Sequence, residues 1–241
     1  MCTTRVIYNR RQGSDEGSPP REKRVKTRSF KPYGPRKLIV EINNGIKDLL
    51  LRYFEADEGY IYGFQHPDDV ILIPSAGAAT GATLIKIGRS KDHAARMKQI
   101  HKQCRYLPHT VFAHLMPHHV RIERVVHMQL HNSRKRDAGC TGCGAKHEEW
   151  FKVDIGRAER LVMLWKAFAD RHPYDEDGTM LPEWRARLEQ LDMDDEDCWE
   201  GFVHGAPLAQ PVAVLPQELE AENTPNTLVE DSIEPSSEGA A

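Results

Sequence analysis

A chain of 241 residues with 39% hydrophobic and 29% charged residues can bury one core of domain size but is lean for two. It has no apolar run of the roughly 18 residues that cross a membrane and no charged-then-apolar leader, so we expect an intracellular protein without a membrane partner. A formal net charge of −3 excludes neither nucleic acid nor protein as a partner, because the charges are unevenly distributed.

The charge changes sign along the chain. Residues 1–37 carry 11 Lys/Arg against 3 Asp/Glu, residues 38–173 carry 20 against 15, and residues 174–241 carry 2 against 18. The basic arm suits phosphate contact, although a solvated tail has the same composition, and the acidic region would compete with nucleic acid for it. We predict a disordered arm over 1–34 and a disordered tail over 192–241. Basic clusters in the arm slightly favour the nucleus over the cytoplasm.

The first half of the folded region predicts a helix, a hairpin and a second helix. Apolar residues at helical spacing run from Arg36 to Phe54. Two runs rich in β-branched and aromatic residues, Gly59–Phe64 and Leu84–Gly88, are separated by turn formers and predict paired strands. Ser90 is then placed to cap a helix with its body from Ala94 to Gln103.

The second half continues with short alternating elements. We predict a strand at Thr110–Leu115, a helix at Val120–Arg134, a polar loop at 137–148, an edge strand at 149–153, and helices at Arg157–Asp170 and Leu181–Leu191. The fold class that follows is α/β, with an antiparallel sheet of three or four strands flanked by helices. Residues 35–155 would form the main domain and 156–191 an appended helical segment.

Several short motifs occur in a characteristic order along these predicted helices and strands. They are a Tyr-bearing first strand, then Lys86-Ile87-Gly88-Arg89-Ser90, Arg96, Glu123 with His127, and Glu149-Trp150-Phe151. The ordered set resembles the GIY-YIG superfamily of metal-dependent endonucleases. More narrowly, it resembles the branch named for a phage T5 open reading frame, a DNA-binding domain frequent in fungal proteins. The resemblance covers roughly residues 35–190 and implies a GIY-YIG-like domain over 35–155.

The resemblance implies roles for individual residues. Glu123 would hold Mg²⁺ or Mn²⁺, with His127 beside it, and Arg96 would clamp the phosphate. Tyr62, with Tyr60 as the nearby alternative, would position or deprotonate the nucleophile. Lys86 stands where the superfamily has its second Tyr, and a Lys there would hold a phosphate or act as a base.

Ordinary structural interpretations remain open for the same residues. Either Tyr could be a core side chain, Arg96 a solvated one, and Glu123 half of a surface ion pair. We therefore predict DNA binding, with metal-dependent phosphodiester cleavage as an activity that the resemblance implies. One alternative is a non-catalytic interaction module whose fold is stabilised by zinc, with protein partners that the sequence does not identify. The other is an RNA binder, because the basic arm would contact phosphates and would not distinguish DNA from RNA by their bases.

A second constellation predicts a zinc site. Cys140 and Cys143 stand three residues apart among glycines, and His147 follows four residues later. Thiolates and imidazole are the ligands of structural zinc, which takes four. Cys104, at the end of the Arg96 helix, is our first choice for the fourth ligand. The competing interpretations are His127 or His131 as the fourth ligand, two free thiols, or a redox pair.

Overall fold

A computed structural model describes residues 28–70 and 81–205. Six strands form one antiparallel sheet in the order β1-β5-β6-β3-β2-β4. The strands are β1 Phe30–Pro32, β2 Glu58–Gln65, β3 Thr83–Ser90, β4 His109–Pro117, β5 Arg134–Asp137 and β6 Trp150–Val153. The predicted strands Gly59–Phe64 and Leu84–Gly88 correspond to β2 and β3. Their predicted pairing is confirmed, since β2 and β3 pair antiparallel from Tyr60↔Ser90 to Phe64↔Lys86.

Helices flank the sheet. They are α1 Ile39–Leu51, α2 Pro67–Val70, α3 His93–Cys104, α4 His119–Gln129, α5 Ile155–Ala169, α6 Pro182–Glu189 and α7 Cys198–His204. The predicted α/β class with a helix-flanked antiparallel sheet is thus confirmed. Among the described residues, no helix combines the length and the apolar character needed to cross a membrane.

The predicted count of three or four strands is wrong, because two strands carry no apolar alternation. β1 reads Phe-Lys-Pro and β5 reads Arg-Lys-Arg-Asp, and they pair with each other from Phe30↔Asp137 to Pro32↔Lys135. Such strands are stabilised by backbone pairing with neighbours, which a local pattern does not reveal. The predicted disordered arm therefore extends too far at Phe30–Pro32, and its residues 1–27 lie outside the described part.

The region between α4 and α5 also differs from expectation. The helix predicted to reach Arg134 ends at Gln129, and a single 3₁₀ turn at His131–Ser133 leads into β5. β6 was expected at the sheet edge but lies between β5 and β3. Its Trp150, Phe151 and Val153 are all buried, which is the burial of an interior strand.

Asp92, rather than Ser90, caps α3. The Asp92 carboxylate accepts a hydrogen bond of 2.9 Å from the Ala95 backbone N–H. Ser90 instead donates its hydroxyl to the Asp92 carbonyl oxygen at 2.8 Å. This turn fixes the start of α3, so Arg96 projects from the first turn of the helix.

The two faces of the sheet carry different layers. On one face Tyr62, Phe64 and Trp150 pack with Ile100 and Cys104 of α3. On the other face the isoleucines of β2 and β3 pack with α1, α4 and α5 in the larger core. Because side chains alternate along a strand, Tyr62 faces α3 while its neighbour Ile61 enters the larger core.

The C-terminal helices belong to the larger core. α5 packs on β4 and α4, so the segment predicted as appended shares one core with the domain before it. The predicted disordered tail is wrong over Cys198–His204, where α7 buries Trp199, Phe202 and Val203. The remainder of that prediction, residues 206–241, lies outside the described part.

Candidate functional site

Tyr62 lies directly over Gly88 of the neighbouring strand. The two residues pair across β2 and β3, and a Cβ atom at position 88 would lie 2.9 Å from the Tyr62 hydroxyl oxygen. Carbon and oxygen atoms that are not bonded do not approach so closely without displacement. Because Gly88 has no side chain, the Tyr62 hydroxyl can occupy the space next to the backbone of β3.

Arg96 meets this hydroxyl from α3. Its Nε donates to the Tyr62 hydroxyl oxygen at 3.3 Å, and its Nη1 donates to Gln99 Oε1 at 2.6 Å. Burial raises the pKa of Tyr62 above its usual value, and the hydrogen bond from Arg96 only partly offsets this effect. The phenol is therefore protonated at neutral pH.

Glu123 reaches the same end of β3 from α4. Its Oε2 accepts a hydrogen bond from Arg89 Nε at 2.9 Å, and its side chain is 16% exposed. Burial raises the pKa of Glu123, and Arg89 acts in the opposite direction. The negative charge of Glu123 also contributes to the raised pKa of Tyr62, so the two groups share one electrostatic environment.

Glu149, immediately before β6, supplies a second carboxylate. Its Oε2 lies 3.5 Å from Lys86 Nζ. Burial alone would raise the pKa of Glu149, but Lys86 and the group's other polar neighbours lower it below its usual value. Its charge acts on both Tyr62 and Glu123 by raising their pKa values. The charges of both carboxylates therefore act on the hydroxyl of Tyr62.

Lys86 is buried at the back of this group of residues. Its ammonium nitrogen lies 3.3 Å from His147 Nδ1 and 6.0 Å from the ring centre of Phe64. Lys86 thus forms an ion pair with Glu149 and lies against the ring of His147. We call Tyr62, Lys86, Gly88, Arg89, Arg96, Glu123 and Glu149 together the Tyr62 site.

Tyr60 and His127, also predicted as site residues, make other contacts. Tyr60 is half-buried, with its ring centre 6.1 Å from that of His93. His127 is buried behind β3, where its Nε2 lies 3.1 Å from the carbonyl oxygen of Ile87. Burial lowers the pKa of His127 to about 4. The ring is therefore neutral at pH 7 and donates to that carbonyl, which supports β3 just before Gly88.

Sequence reasoning gave no role to Arg89, Glu149 or His93. Arg89 follows Gly88 directly, and Glu149 directly precedes the strand of Trp150. Their positions inside these two motifs were the only sequence signal that they belong to the site. His93 lies with its ring centre 5.5 Å from that of Tyr62, and only the start of α3 at Asp92 places it there.

The second constellation gathers as predicted. The ligand atoms of Cys104, Cys140, Cys143 and His147 lie within 4.8 Å of one another. Cys104 comes from the last residue of α3 and the other three from the loop between β5 and β6. His127 and His131 bond to backbone carbonyl oxygens elsewhere. We call these four residues the Cys/His cluster.

A cleft of about 340 Å³ lies between α1, α5 and α7. Its charged lining includes Arg157 and Glu196, whose side chains lie 3.5 Å apart, and none of the Tyr62 site residues lines it. Three carboxylates line the cleft against two guanidinium groups, which makes it a poor site for a phosphate.

Comparison with known proteins gives a match to a family. The family described as meiotically up-regulated gene 113 (MUG113) matches residues 82–168. No curated protein matches the chain, and no solved structure does. The matched span begins after Tyr62, contains Arg96, Glu123 and Glu149, and contains the whole Cys/His cluster. The Cys/His cluster and most of the Tyr62 site thus fall within one family-matched segment.

Proposed function

We propose that this protein binds nucleic acid, with DNA as the favoured partner, through a GIY-YIG-like domain whose phosphate site is the Tyr62 site. The observation that carries the proposal is the hydrogen bond from Arg96 Nε to the Tyr62 hydroxyl, 3.3 Å long, at the end of β3 where Glu123 also lies. A guanidinium, a phenol and a carboxylate together match the chemistry of phosphodiester cleavage.

Arg96 is suited to contact the phosphate. Its Nε and Nη1 bond to Tyr62 and Gln99, which leaves the N–H groups of Nη2 for an incoming oxygen. The two existing bonds also hold the guanidinium plane before a ligand arrives, so little side-chain entropy is lost on binding. Guanidinium groups are among the strongest partners of phosphate oxygens.

Tyr62 orients a ligand and does not act as a ready base. Its raised pKa keeps the phenol protonated at neutral pH, and the bond from Arg96 leaves its own proton free to donate. Lys86 is paired with Glu149 and lies against His147, so its charge acts on the site from its buried side. Where the GIY-YIG superfamily has its second Tyr, this chain therefore has the cation of Lys86 in place of a hydroxyl.

Glu123 is the residue that would hold Mg²⁺ or Mn²⁺, and the donor chemistry fits. These ions prefer carboxylate oxygens, keep several waters and share one or two protein carboxylates with substrate phosphates. Glu123 and Glu149 are two such carboxylates, and the charge of each raises the pKa of Tyr62. When bound, such an ion would neutralise charge on the phosphate; Arg89 would then share the Glu123 carboxylate with it.

A plasmid-nicking assay tests the proposal. Full-length protein is incubated with supercoiled plasmid in Mg²⁺ or Mn²⁺, alongside Arg96→Ala and Glu123→Gln. We expect nicking by the wild type and a loss of about 10²- to 10³-fold in each variant, the usual effect of removing a group that stabilises the transition state.

Matched variants control for surface charge. Arg160→Ala and Glu183→Gln alter exposed residues of α5 and α6 and should nick like the wild type. Nicking that persists in both site variants would assign the activity to another site or to a contaminant. A wild type that neither nicks nor binds duplex DNA, single-stranded DNA or RNA in fluorescence anisotropy would overturn the proposal.

A second candidate is a phosphate-binding module without catalysis. The observation that favours it is the Arg89–Glu123 ion pair of 2.9 Å, which occupies the carboxylate expected to hold the cation. Binding without nicking, together with loss of binding in Arg96→Ala, would select this candidate. Anisotropy with matched DNA and RNA duplexes decides between the two nucleic acids.

A further inference from the structure

Three of the distances within the Cys/His cluster match those of a tetrahedral metal site. Cys104 Sγ and Cys143 Sγ lie 3.8 Å apart, and His147 Nε2 lies 3.6 Å from the first sulfur and 3.5 Å from the second. Tetrahedral zinc, with Zn–S bonds of about 2.3 Å and Zn–N bonds of about 2.0 Å, separates two sulfurs by about 3.8 Å and a sulfur from a nitrogen by about 3.6 Å. A disulfide would instead need sulfurs about 2.05 Å apart.

The loop that carries three of these residues is folded tightly around the sulfurs. The Cys140 N–H donates to the Ala145 carbonyl at 2.8 Å, and the Gly144 N–H donates to the Cys140 carbonyl at 2.8 Å. Gly144 has φ +74°, a conformation that other residues adopt at a cost.

The loop is seated directly on the end of α3. A Cβ atom at Gly142 would overlap the carbonyl group of Cys104, so no side chain fits at this position. At its base, the Asp137 N–H donates to the His147 carbonyl at 2.8 Å and closes the β5–β6 hairpin. Cys104 is separated from the loop by β4, α4 and β5, so only the tertiary structure unites the four residues.

We propose that Cys104, Cys140, Cys143 and His147 bind one structural Zn²⁺ ion that joins the C-terminal end of α3 to the β5–β6 hairpin. Three thiolates and one imidazole are ligands that favour zinc, and four protein ligands close the coordination sphere, as in structural sites. This proposal does not rest on the proposed nucleic-acid function, although the two sites adjoin at Lys86.

The surroundings suit a zinc centre with three thiolates. Such a centre carries one net negative charge, and the buried ammonium group of Lys86 lies beside it, 3.3 Å from His147 Nδ1. Once Nε2 binds the metal, Nδ1 carries a proton and donates. Because the Lys86 ammonium and the His147 Nδ1–H are then both donors, the acceptor for Lys86 is Glu149 Oε2, 3.5 Å from its Nζ.

Metal content tests the site directly. Full-length protein is purified without chelator and its metals are measured by inductively coupled plasma mass spectrometry. We expect one zinc per chain in the wild type and in Cys198→Ser, which alters a buried free thiol outside the cluster. Cys104→Ser, which removes the ligand from α3, should lower zinc affinity by more than the roughly 100-fold that loss of a supporting hydrogen bond causes.

Cobalt substitution keeps the test decisive where a serine variant does not fold. Co²⁺ added to the apoprotein should give the visible absorption bands of tetrahedral thiolate coordination. His147→Cys, which keeps four ligands, should retain the metal and shift those bands, whereas His147→Ala should lose affinity. A wild type that binds no zinc, full affinity in Cys104→Ser, or an unshifted cobalt spectrum in His147→Cys would overturn the assignment.

Discussion

Gly88 shows how much one residue without a side chain decides. The Tyr62 hydroxyl occupies the space where a Cβ atom would project from β3, and Arg96 then bonds to that hydroxyl. The neighbouring Ile87 is buried in the larger core on the other face. Ile87 thus packs into the core on one face of the sheet, and Gly88 leaves space for the Tyr62 hydroxyl on the other face.

Replacing Gly88 tests this arrangement. Gly88→Ala places a methyl group 2.9 Å from the Tyr62 hydroxyl oxygen, so the ring must shift or β3 must move. We expect the free energy of unfolding to fall by about 1–3 kcal/mol, the usual effect of overpacking. Urea denaturation followed by circular dichroism measures the change.

Gly201 provides the matched control. It lies within α7, and a Cβ atom there would have nothing within 4 Å. Gly201→Ala should therefore raise the free energy of unfolding by roughly 0.5–1 kcal/mol, because alanine loses less backbone entropy in a helix. A Gly88→Ala protein as stable as the wild type would show that the Tyr62 hydroxyl does not depend on that space.

At the scale of elements, α7 is the part that composition misrepresents. It follows a run of acidic residues, yet Trp199 is 1% exposed and its ring centre lies 5.3 Å from that of Trp165. Trp199 Nε1 donates to Asn43 Oδ1 at 2.8 Å. The Asn43 amide in turn donates to the carbonyls of Met193 and Asp195, so one buried residue of α1 holds the turn before α7.

Truncating Trp199 should therefore destabilise the whole fold. Trp199→Ala removes a buried aromatic side chain, and we expect a loss of about 3–5 kcal/mol in the free energy of unfolding. Asn43→Ala should cost about 1–3 kcal/mol, because it leaves buried groups without hydrogen-bond partners. Urea denaturation of the single and double variants measures both effects, and the double variant should lose less than the sum.

The neighbouring Glu200 is the control for this experiment. It is exposed, so Glu200→Ala should change stability by no more than about 0.5 kcal/mol. A Trp199→Ala protein with unchanged stability would mean that α7 does not contribute to the core.

At the scale of the whole molecule, we expect the acidic C-terminal region to oppose the proposed nucleic-acid binding. Residues 206–241 contain seven acidic residues and no Lys or Arg, so their removal changes the formal net charge from −3 to about +4. Acidic residues tethered to a basic surface compete with phosphates for it, and salt screens this competition.

Deleting residues 206–241 should therefore tighten binding. At low salt we expect an affinity for a DNA duplex on the order of tenfold higher than that of the full chain, with the difference shrinking as salt rises. Fluorescence anisotropy titrations at several salt concentrations measure it.

A charge-neutral variant separates charge from length. Replacing the seven acidic residues of 206–241 by Gln and Asn keeps the chain length and should reproduce the effect of the deletion. If the deletion tightens binding and the replacement does not, the acidic charge is not the cause. Equal affinities of the deletion and the full chain at low salt would contradict the competition itself.

The sequence by itself determined the features that depend on local chemistry. The periodicity of α1 and α5, the paired strands β2 and β3, and the Cys-x-x-Cys loop all follow from residues close together in the chain. The ranking of Cys104 as the fourth member of the cluster also came from the sequence, because the helix of Arg96 ends there.

Only the tertiary structure decided the features that depend on distant partners. β1 and β5 are strands because each pairs with the other, and α7 is a helix in the core because Asn43 and Trp165 lie where Trp199 arrives. Arg89 and Glu149 join the Tyr62 site for the same reason. These features are stabilised by backbone pairing and burial between residues that are far apart in the chain. The pattern of a short stretch of sequence does not identify its distant partner.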